Sequence, residues 1–145
     1  MFGETAAGVI RDLYLTEADI HSEGRPLVGA LVGWSRGQII NASSDGKVSG
    51  ASEGAKVGGL VGRNDGSIER SYSAATVTSH NTAGGVVGEN GGAITQSYAS
   101  GIVDAAGTAG GLVGYHGGQV SNSYAIARFL EVWQPGDLPA ISVGS

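Results

Sequence analysis

The sequence predicts an all-β protein, a parallel β-solenoid (β-helix) of about five coils with three short strands in each coil of about 26 residues. The main observation is a repeat: VGGLVGRNDGSIERSYSAATV at residues 57–77 returns as AGGVVGENGGAITQSYASGIV at 83–103 and AGGLVGYHGGQVSNSYAIARF at 109–129. A fixed period of this kind indicates units that stack because none can bury its apolar side alone. Inside each copy glycine recurs too often for a helix, and no apolar stripe has helical spacing.

Composition excludes several classes of protein. The chain has 145 residues, of which 27 are glycine and 41% are hydrophobic, so it is too apolar to be disordered and lacks the three-residue period of collagen. The net charge is −5 and the basic residues are scattered, so we expect no binding of nucleic acid or other polyanions and no membrane insertion. We find no cysteine, signal peptide or transmembrane run, and an exported protein would have lost its leader before this sequence begins.

The repeat divides the chain into a solenoid at 1–129 and a tail. The predicted units are a partial first coil at 1–26, coils at 27–56, 57–82, 83–108 and 109–129, and a C-terminal cap or tail at 130–145. Within each full coil the strands are expected at the equivalents of 57–61, 67–73 and 75–79. The first coil begins with MFG where later coils have LVG, so we expect an open N-terminal coil that is available for self-association. At the other end, Phe129 and Trp133 are expected to fold over the core.

Aligned copies place similar residues in columns that a parallel solenoid would stack about 4.8 Å apart. The apolar columns are Leu31, Leu60, Val86, Leu112; Val32, Val61, Val87, Val113; and Ile10, Ile39, Ile68, Ile94, Val120. A further column joins Val48, Val77, Val103 and Phe129. We expect the three apolar columns to form one continuous core. Two glycine columns, Gly33, Gly62, Gly88, Gly114 and Gly37, Gly66, Gly92, Gly118, are expected to form a corner through positive φ or close backbone approach.

The pattern GGLVGxNxGxIxxSYAxGxV resembles the GLUG repeat of bacterial surface and secreted proteins. That family is found in large adhesins of the filamentous-haemagglutinin type and beside immunoglobulin-cleaving metallopeptidases. The resemblance therefore implies an extracellular or bacterial cell-surface location and a scaffold or attachment role. Family members that are peptidases carry the catalytic domain elsewhere, and no HExxH zinc signature occurs in this sequence. The resemblance implies architecture and location, and no active site.

Aromatic residues are the candidate ligand contacts. Tyr14, Tyr72, Tyr98 and Tyr124 share one column, beside small residues that alternate on the opposite face. We predict that these tyrosines point outward and offer flat faces with hydroxyl rims to a glycan or protein of the host or bacterial surface. The alternative is that tyrosine is the bulky core residue and the small residues are solvated.

Trp34 is the second candidate contact, because it lies in the divergent coil together with a lengthened connection at 50–56. An exposed ring beside that loop would be a specific ligand contact. The favoured alternative is that Trp34 covers the apolar edge of the first coil.

No catalytic residue, metal ligand or cofactor is predicted. The three histidines, His21, His80 and His116, fall in different columns, and no Ser, His and Asp share the register of a triad. Glu89 and Arg63 are expected to form a surface ion pair worth at most about 1 kcal/mol.

These observations favour a non-catalytic extracellular repeat module of a bacterial adhesin-type surface protein, which attaches by binding glycan or protein. The alternative function is a self-assembling structural subunit of an extracellular fibre, formed by end-to-end stacking of solenoids.

Overall fold

The chain forms a parallel β-solenoid of about four turns. The computed structural model describes residues 8–126 in full and residues 2–5 and 128–129 by their backbone. Within these residues all strand pairs are parallel and no helix occurs. The offset between successive turns is longer where Val32 pairs with Val61 than where Val61 pairs with Val87, as the sequence repeat predicted. The predicted fold class is confirmed.

Four sheets run along the solenoid axis, and each is named here after a characteristic residue. The valine sheet contains Phe2–Thr5, Val32–Ser35, Val61–Asn64, Val87–Asn90 and Val113–His116. The isoleucine sheet contains Val9–Arg11, Gln38–Ile40, Ser67–Glu69, Ala93–Thr95 and Gln119–Ser121. The tyrosine sheet contains Tyr14–Ser22, Ser43–Gly50, Tyr72–Ser73, Thr76–Ser79, Tyr98–Ala99, Ile102–Ala105, Tyr124–Ala125 and Arg128–Phe129. The glycine sheet contains Leu27–Gly29, Lys56–Gly58, Thr82–Gly84 and Thr108–Gly110.

A regular turn therefore has five short strands, and the prediction of three was too low. The apolar run at 57–61 does not form one strand, because Gly59 and Leu60 make the corner between the glycine and valine sheets. The run at 67–73 is divided in the same way at Arg70, whose φ of 49° lies in the left-handed region and ends the strand. Apolar composition marked the inward residues of these runs correctly, but it did not reveal the bends inside them.

The apolar columns are buried as predicted, but they form two cores. One cluster lies inside the valine and isoleucine sheets and contains Leu60, Val61 and Ile68. The other lies between the glycine sheet and the second half of the tyrosine sheet and contains Val57 and Val77. The two adjoin where Ser44 and Ser73 are buried, and the Ser44 hydroxyl donates to the Gly59 carbonyl at 2.6 Å. The expectation that the three apolar columns form one continuous core is confirmed, whereas the Val48 column belongs to the second cluster, beyond the buried serines.

Close backbone approach, and not positive φ, explains the two glycine columns. A Cβ on Gly66 would overlap the carbonyl oxygen of Gly37 one turn earlier, and a Cβ on Gly92 would overlap that of Gly66. Gly88 similarly faces the backbone of Val57 in the glycine sheet. Any side chain at these positions would therefore push two turns or two sheets apart.

Positive φ occurs instead in a column of larger residues, at the corner between the isoleucine and tyrosine sheets. Its members are Asp12, Asn41, Arg70, Gln96 and Asn122, with φ between 49° and 55°. The serine that follows stabilises each corner of the regular turns. The Ser71 N–H donates to the Ser97 hydroxyl at 3.3 Å, and the Ser97 hydroxyl donates to the Thr95 carbonyl at 2.9 Å. Ser71 and Ser97 therefore belong to a hydrogen-bonded polar ladder at this corner.

A second polar ladder lies inside the solenoid, at the end of the valine strands. Asn64 and Asn90 have no exposed surface, and the Asn64 side-chain amide donates to Asn90 Oδ1 at 2.9 Å. Each asparagine also accepts from the N–H two residues later, Gly66 at 3.2 Å and Gly92 at 3.3 Å. The ladder ties the turn of one coil to the turn of the next. Because buried amides need such partners, these asparagines hold the four-residue bend in shape.

Two sequence predictions fall partly or wholly outside the described residues. The cap formed by Phe129 and Trp133 and the tail at 130–145 are among them, although Phe129 does pair with Val103 as the column required. The open N-terminal coil is the other, although Phe2 pairs with Val32 in the expected register. In the divergent coil, Gly50 and Lys56 are six residues apart where their partners Ser79 and Thr82 are three apart, so the insertion lies where predicted.

Candidate functional site

The tyrosine column lies on the outer surface of the solenoid. After the left-handed corner the chain is extended, so Ser71 and Ser73 point inward, at 1% exposure each, and Tyr72 between them points outward at 38%. Tyr124 is 50% exposed and Tyr98 is half-buried between its two neighbours. The predicted outward orientation is confirmed, and the alternative in which tyrosine is the core residue is excluded.

Three of the rings form a continuous stack. The ring centroids of Tyr72 and Tyr98 are 4.9 Å apart with planes 2° from parallel, and those of Tyr98 and Tyr124 are 5.2 Å apart with planes 6° from parallel. Each ring therefore covers the face of the next. The surface offered to a ligand consists of ring edges and a row of hydroxyl groups, so the prediction of accessible flat faces was wrong for Tyr98. We call Tyr72, Tyr98 and Tyr124 the tyrosine ladder.

Stacking also changes the ionisation of the central ring. Partial burial raises the pKa of the Tyr98 hydroxyl above its ordinary value, and the neighbouring Tyr72 and Tyr124 raise it further. A phenolate at the centre of the ladder would lose water and face two further phenol groups. At neutral pH the Tyr98 hydroxyl is consequently neutral and able to donate and accept hydrogen bonds.

Tyr14 is separated from the ladder by one position. Ser43 takes the tyrosine place in the second coil, pairing with Tyr14 on one side and Tyr72 on the other. The Tyr14 side chain is exposed, and its hydroxyl accepts a hydrogen bond from the Asn41 side-chain amide at 2.8 Å. The structure therefore places Tyr14 in the predicted column but outside the stack.

Trp34 lies on the valine sheet and not with the tyrosines. The ring is half-buried, its indole N–H donates to Asp65 Oδ2 at 2.7 Å, and the guanidinium groups of Arg36 and Arg63 lie 4.4 Å and 5.4 Å from the ring centroid. The interpretation of Trp34 as an exposed ring beside the 50–56 loop was wrong. Its partners among the described side chains are charged groups. The paired strand of the first coil, Phe2–Thr5, is described only by its backbone, so a contact with the apolar edge of that coil stays a prediction.

Asp65 joins these groups into one network. Partial burial alone would raise the pKa of Asp65, but hydrogen bonds from Arg63 and Trp34 outweigh that effect and hold the pKa below its ordinary value. The Arg63 Nε–Asp65 Oδ2 distance is 2.8 Å. Trp34 is therefore a structural partner of charged side chains in this structure.

The predicted pair of Glu89 and Arg63 is present, with Oε1 and Nη1 3.8 Å apart, but it is not a simple surface pair. The Glu89 side chain is only 15% exposed, and its second oxygen is buried against the Lys56 ammonium group. Two cations thus share one largely buried carboxylate. This cluster links the valine sheet to the glycine sheet.

Two histidines that occupy different columns of the repeat lie in one groove on the tyrosine sheet. His21 and His80 both line it, together with Lys47. His21 Nδ1 is 2.7 Å from the Ser49 hydroxyl, and its Nε2 is 3.6 Å from Glu23 Oε1. His21 therefore lies between a serine and a carboxylate, an arrangement that was not predicted from the sequence. The Glu23 side chain is 84% exposed, however, so water competes for that contact.

Sequence reasoning missed this groove because its residues have no common motif. They come from three coils that are unequally spaced in the sequence, as Asp19 pairs with Lys47 and Lys47 pairs with Thr76. The sequence offset from Asp19 to Lys47 is shorter than the offset from Lys47 to Thr76. A constant period therefore does not align the three coils. In the part of the chain with described side chains, no group of three or more His, Asp or Glu residues is close enough to hold a metal ion.

Comparison with known proteins identifies the repeat. Residues 54–78 match the family described as the GLUG motif. These residues include the Gly58–Gly62 corner, Asn64 and the first tyrosine of the ladder. No curated protein and no solved structure matched the chain. None of the described residues belongs to a helix that is long and apolar enough to cross a membrane.

Proposed function

Since the chain carries the GLUG motif on a parallel β-solenoid, we propose that it is a non-catalytic extracellular repeat module of a bacterial adhesin-type surface protein. Its role is that of a scaffold that attaches by binding glycan or protein at the outer surface. The observation that carries this proposal is the tyrosine ladder. Its three stacked aromatic side chains lie on the outer surface, and the small residues that alternate with them are buried.

The ladder suits an elongated ligand. Its rings repeat about every 5 Å along the axis, so their hydroxyl groups form a straight row of donors and acceptors. Tyrosine combines a large apolar area with a polar tip and loses little conformational freedom on binding. Here the stacking already holds the rings in place, which lowers the entropy cost of binding further. A glycan chain or an extended peptide can lie across the ladder and contact several hydroxyls at once.

A glycan and peptide array probed with purified protein tests the proposal. The wild type is expected to bind a subset of ligands, and the double variant Tyr72→Ala, Tyr98→Ala is expected to lose that binding while it keeps its fold. Tyr115→Ala is the matched control, because Tyr115 is 61% exposed but lies on the valine sheet, outside the ladder. Binding that survives in the double variant, or disappears in the control, would refute the tyrosine ladder as the attachment surface.

The alternative function is a self-assembling subunit of an extracellular fibre, formed by end-to-end stacking. The regular strand register supports this alternative, because each column continues from turn to turn through parallel pairing. Electron microscopy and sedimentation at several protein concentrations separate the two functions. Filaments whose length grows with concentration would favour the fibre, whereas a species of constant mass favours the attachment module.

A further inference from the structure

A groove lined by both polar and apolar groups crosses the first three coils on the outer face of the tyrosine sheet. It has a volume of about 420 Å³, and its side-chain donors are His21, Lys47, Ser49, Thr76, Thr78 and His80. Its size falls in the range of small-molecule sites, roughly 300–1,000 Å³. We call it the lysine–histidine groove. A second hollow of the same volume lies at the glycine corner, where three of its seven lining residues are glycines, Gly8, Gly37 and Gly66.

The strand register sets the positions of these groups. His21, Ser49 and Thr78 are neighbours on successive strands, and Lys47 and Thr76 are neighbours two residues earlier on the same strands. Adjacent strands are about 4.8 Å apart, and residues two apart on one strand are about 7 Å apart. Donors and hydroxyls therefore form a grid on the scale of one sugar ring. The hydrogen bond between His21 and Ser49 holds one corner of this grid.

The groove brings imidazole, ammonium and carboxylate side chains together. The protein has a net charge of −5 and only three histidines, yet two histidines and a lysine share this groove. The carboxylate that lines it is Asp19, which neighbours Lys47, and Glu23 contacts His21 at the rim. A neutral sugar that covered Lys47 would offer only hydroxyl oxygens to its ammonium group. A carboxylate on the ligand would form stronger, charge-assisted hydrogen bonds with Lys47 and could also accept from His80.

We propose that the lysine–histidine groove binds a carboxylate-bearing sugar of the uronic acid class, an assignment that rests on the proposed attachment to glycans. The sugar carboxylate pairs with Lys47 and His80. The hydroxyls of Ser49, Thr76 and Thr78 both donate to and accept from the sugar hydroxyls. Asp19 accepts from a sugar hydroxyl, but it also competes with the ligand carboxylate for Lys47.

Sodium glucuronate and glucose are the probes, with binding followed by NMR chemical-shift mapping and titration on the intact chain. Glucuronate is expected to shift the groove residues and to bind at least tenfold more tightly than glucose, since a charge-assisted hydrogen bond is lost with the carboxylate. Lys47→Thr and His80→Ala should each weaken glucuronate about tenfold. Asp19→Asn should strengthen it.

The variants copy residues that the solenoid already accepts. Threonine follows Lys47 in its column, at Thr76, and alanine occupies the turns on both sides of His80, at Ala51 and Ala106. Arg70→Gln is the matched control, because it removes one exposed cation outside the groove and copies the equivalent Gln96. It should leave the affinity for glucuronate unchanged.

Each outcome decides between the two proposals. Equal affinity for glucose and glucuronate, or an unchanged affinity in Lys47→Thr, overturns the carboxylate assignment and leaves the tyrosine ladder to its own array experiment. Glucuronate shifts confined to the ladder would support attachment there and overturn the groove. No binding of glucuronate up to its solubility overturns the groove proposal alone, because the array experiment uses other ligands and other variants.

Discussion

The buried asparagine ladder and the exposed tyrosine ladder are built by the same repeat but have opposite environments. Asn64 and Asn90 are fully buried and bonded to the backbone of their turns, whereas Tyr72 and Tyr124 are exposed and contact their own stack. The polar residue is inside and the aromatic residue outside. The side that a column faces therefore depends on the hydrogen bonds and contacts available at its position. Hydropathy alone does not predict it.

Breaking the buried ladder should have the largest effect. Asn90→Leu keeps the approximate size of the side chain but removes the acceptor for the Asn64 amide and the bond to the Gly92 N–H. We expect a loss of about 2–4 kcal/mol in the free energy of unfolding, because buried polar groups lose their partners. Urea denaturation measures the change. Gln119→Leu, on an exposed site of the isoleucine sheet, is the control and should change stability by less than about 0.5 kcal/mol.

Removing the central ring of the exposed ladder should have a smaller effect on stability. Tyr98→Ala eliminates two stacked contacts, each worth roughly 0.5–1.5 kcal/mol, so we expect a loss of about 1–3 kcal/mol with the fold intact. The same urea experiment provides the comparison with Asn90→Leu. If the two variants were equally unstable, the tyrosine ladder would be as essential to the fold as the asparagine ladder, and the contrast between them would disappear.

The corner that leads into the tyrosine ladder can be improved. Gln96 has a φ of 49°, a conformation that is unfavourable for most side chains but tolerated by asparagine, which already occupies this column at Asn41 and Asn122. Gln96→Asn is expected to raise the free energy of unfolding by about 0.5–1 kcal/mol. Thr95→Asn, one residue earlier in an extended strand, should lower it instead. Equal effects at the two sites would argue against strain at the corner.

The smallest effect is expected in the alkaline range. The pKa of Tyr98 is raised in the folded chain, so the unfolded chain loses this proton first and the stabilisation is present below the ordinary tyrosine value of about 10. It should be lost as the pH rises from there through the raised pKa. Melting temperatures measured from neutral to alkaline pH should show a decline that Tyr98→Phe reduces. Tyr115→Phe, away from the ladder, is expected to retain the full decline.

Periodicity was enough to predict the parallel solenoid, the registers and the inward columns of Val61, Val87 and Ile68, because like residues stack when the repeat is regular. It also predicted the outward tyrosines, through the small residues that alternate with them. It did not predict the bends within each turn. Those depend on left-handed residues such as Arg70, whose side chain carries no signal for that conformation.

The sites that deviate from the repeat were the least predictable. Trp34 was a candidate exposed contact. In the structure it contacts Asp65 and Arg63, which lie one turn later in a coil that follows the regular repeat. The lysine–histidine groove lies in the early coils, where the offset between turns changes along the Lys47 strand. Both depend on side chains that differ between coils, so no column pattern could reveal them.

The direction of the hydrogen bonds has a mechanical consequence. Every sheet pairs one turn with the next, so the backbone hydrogen bonds point along the axis of the solenoid. A force that pulls the two ends of the solenoid apart therefore loads these bonds in tension and only one turn at a time. Each regular turn that peels away would release roughly 85–95 Å of extended chain. Under load, the protein should lengthen in discrete steps and act as an extensible tether.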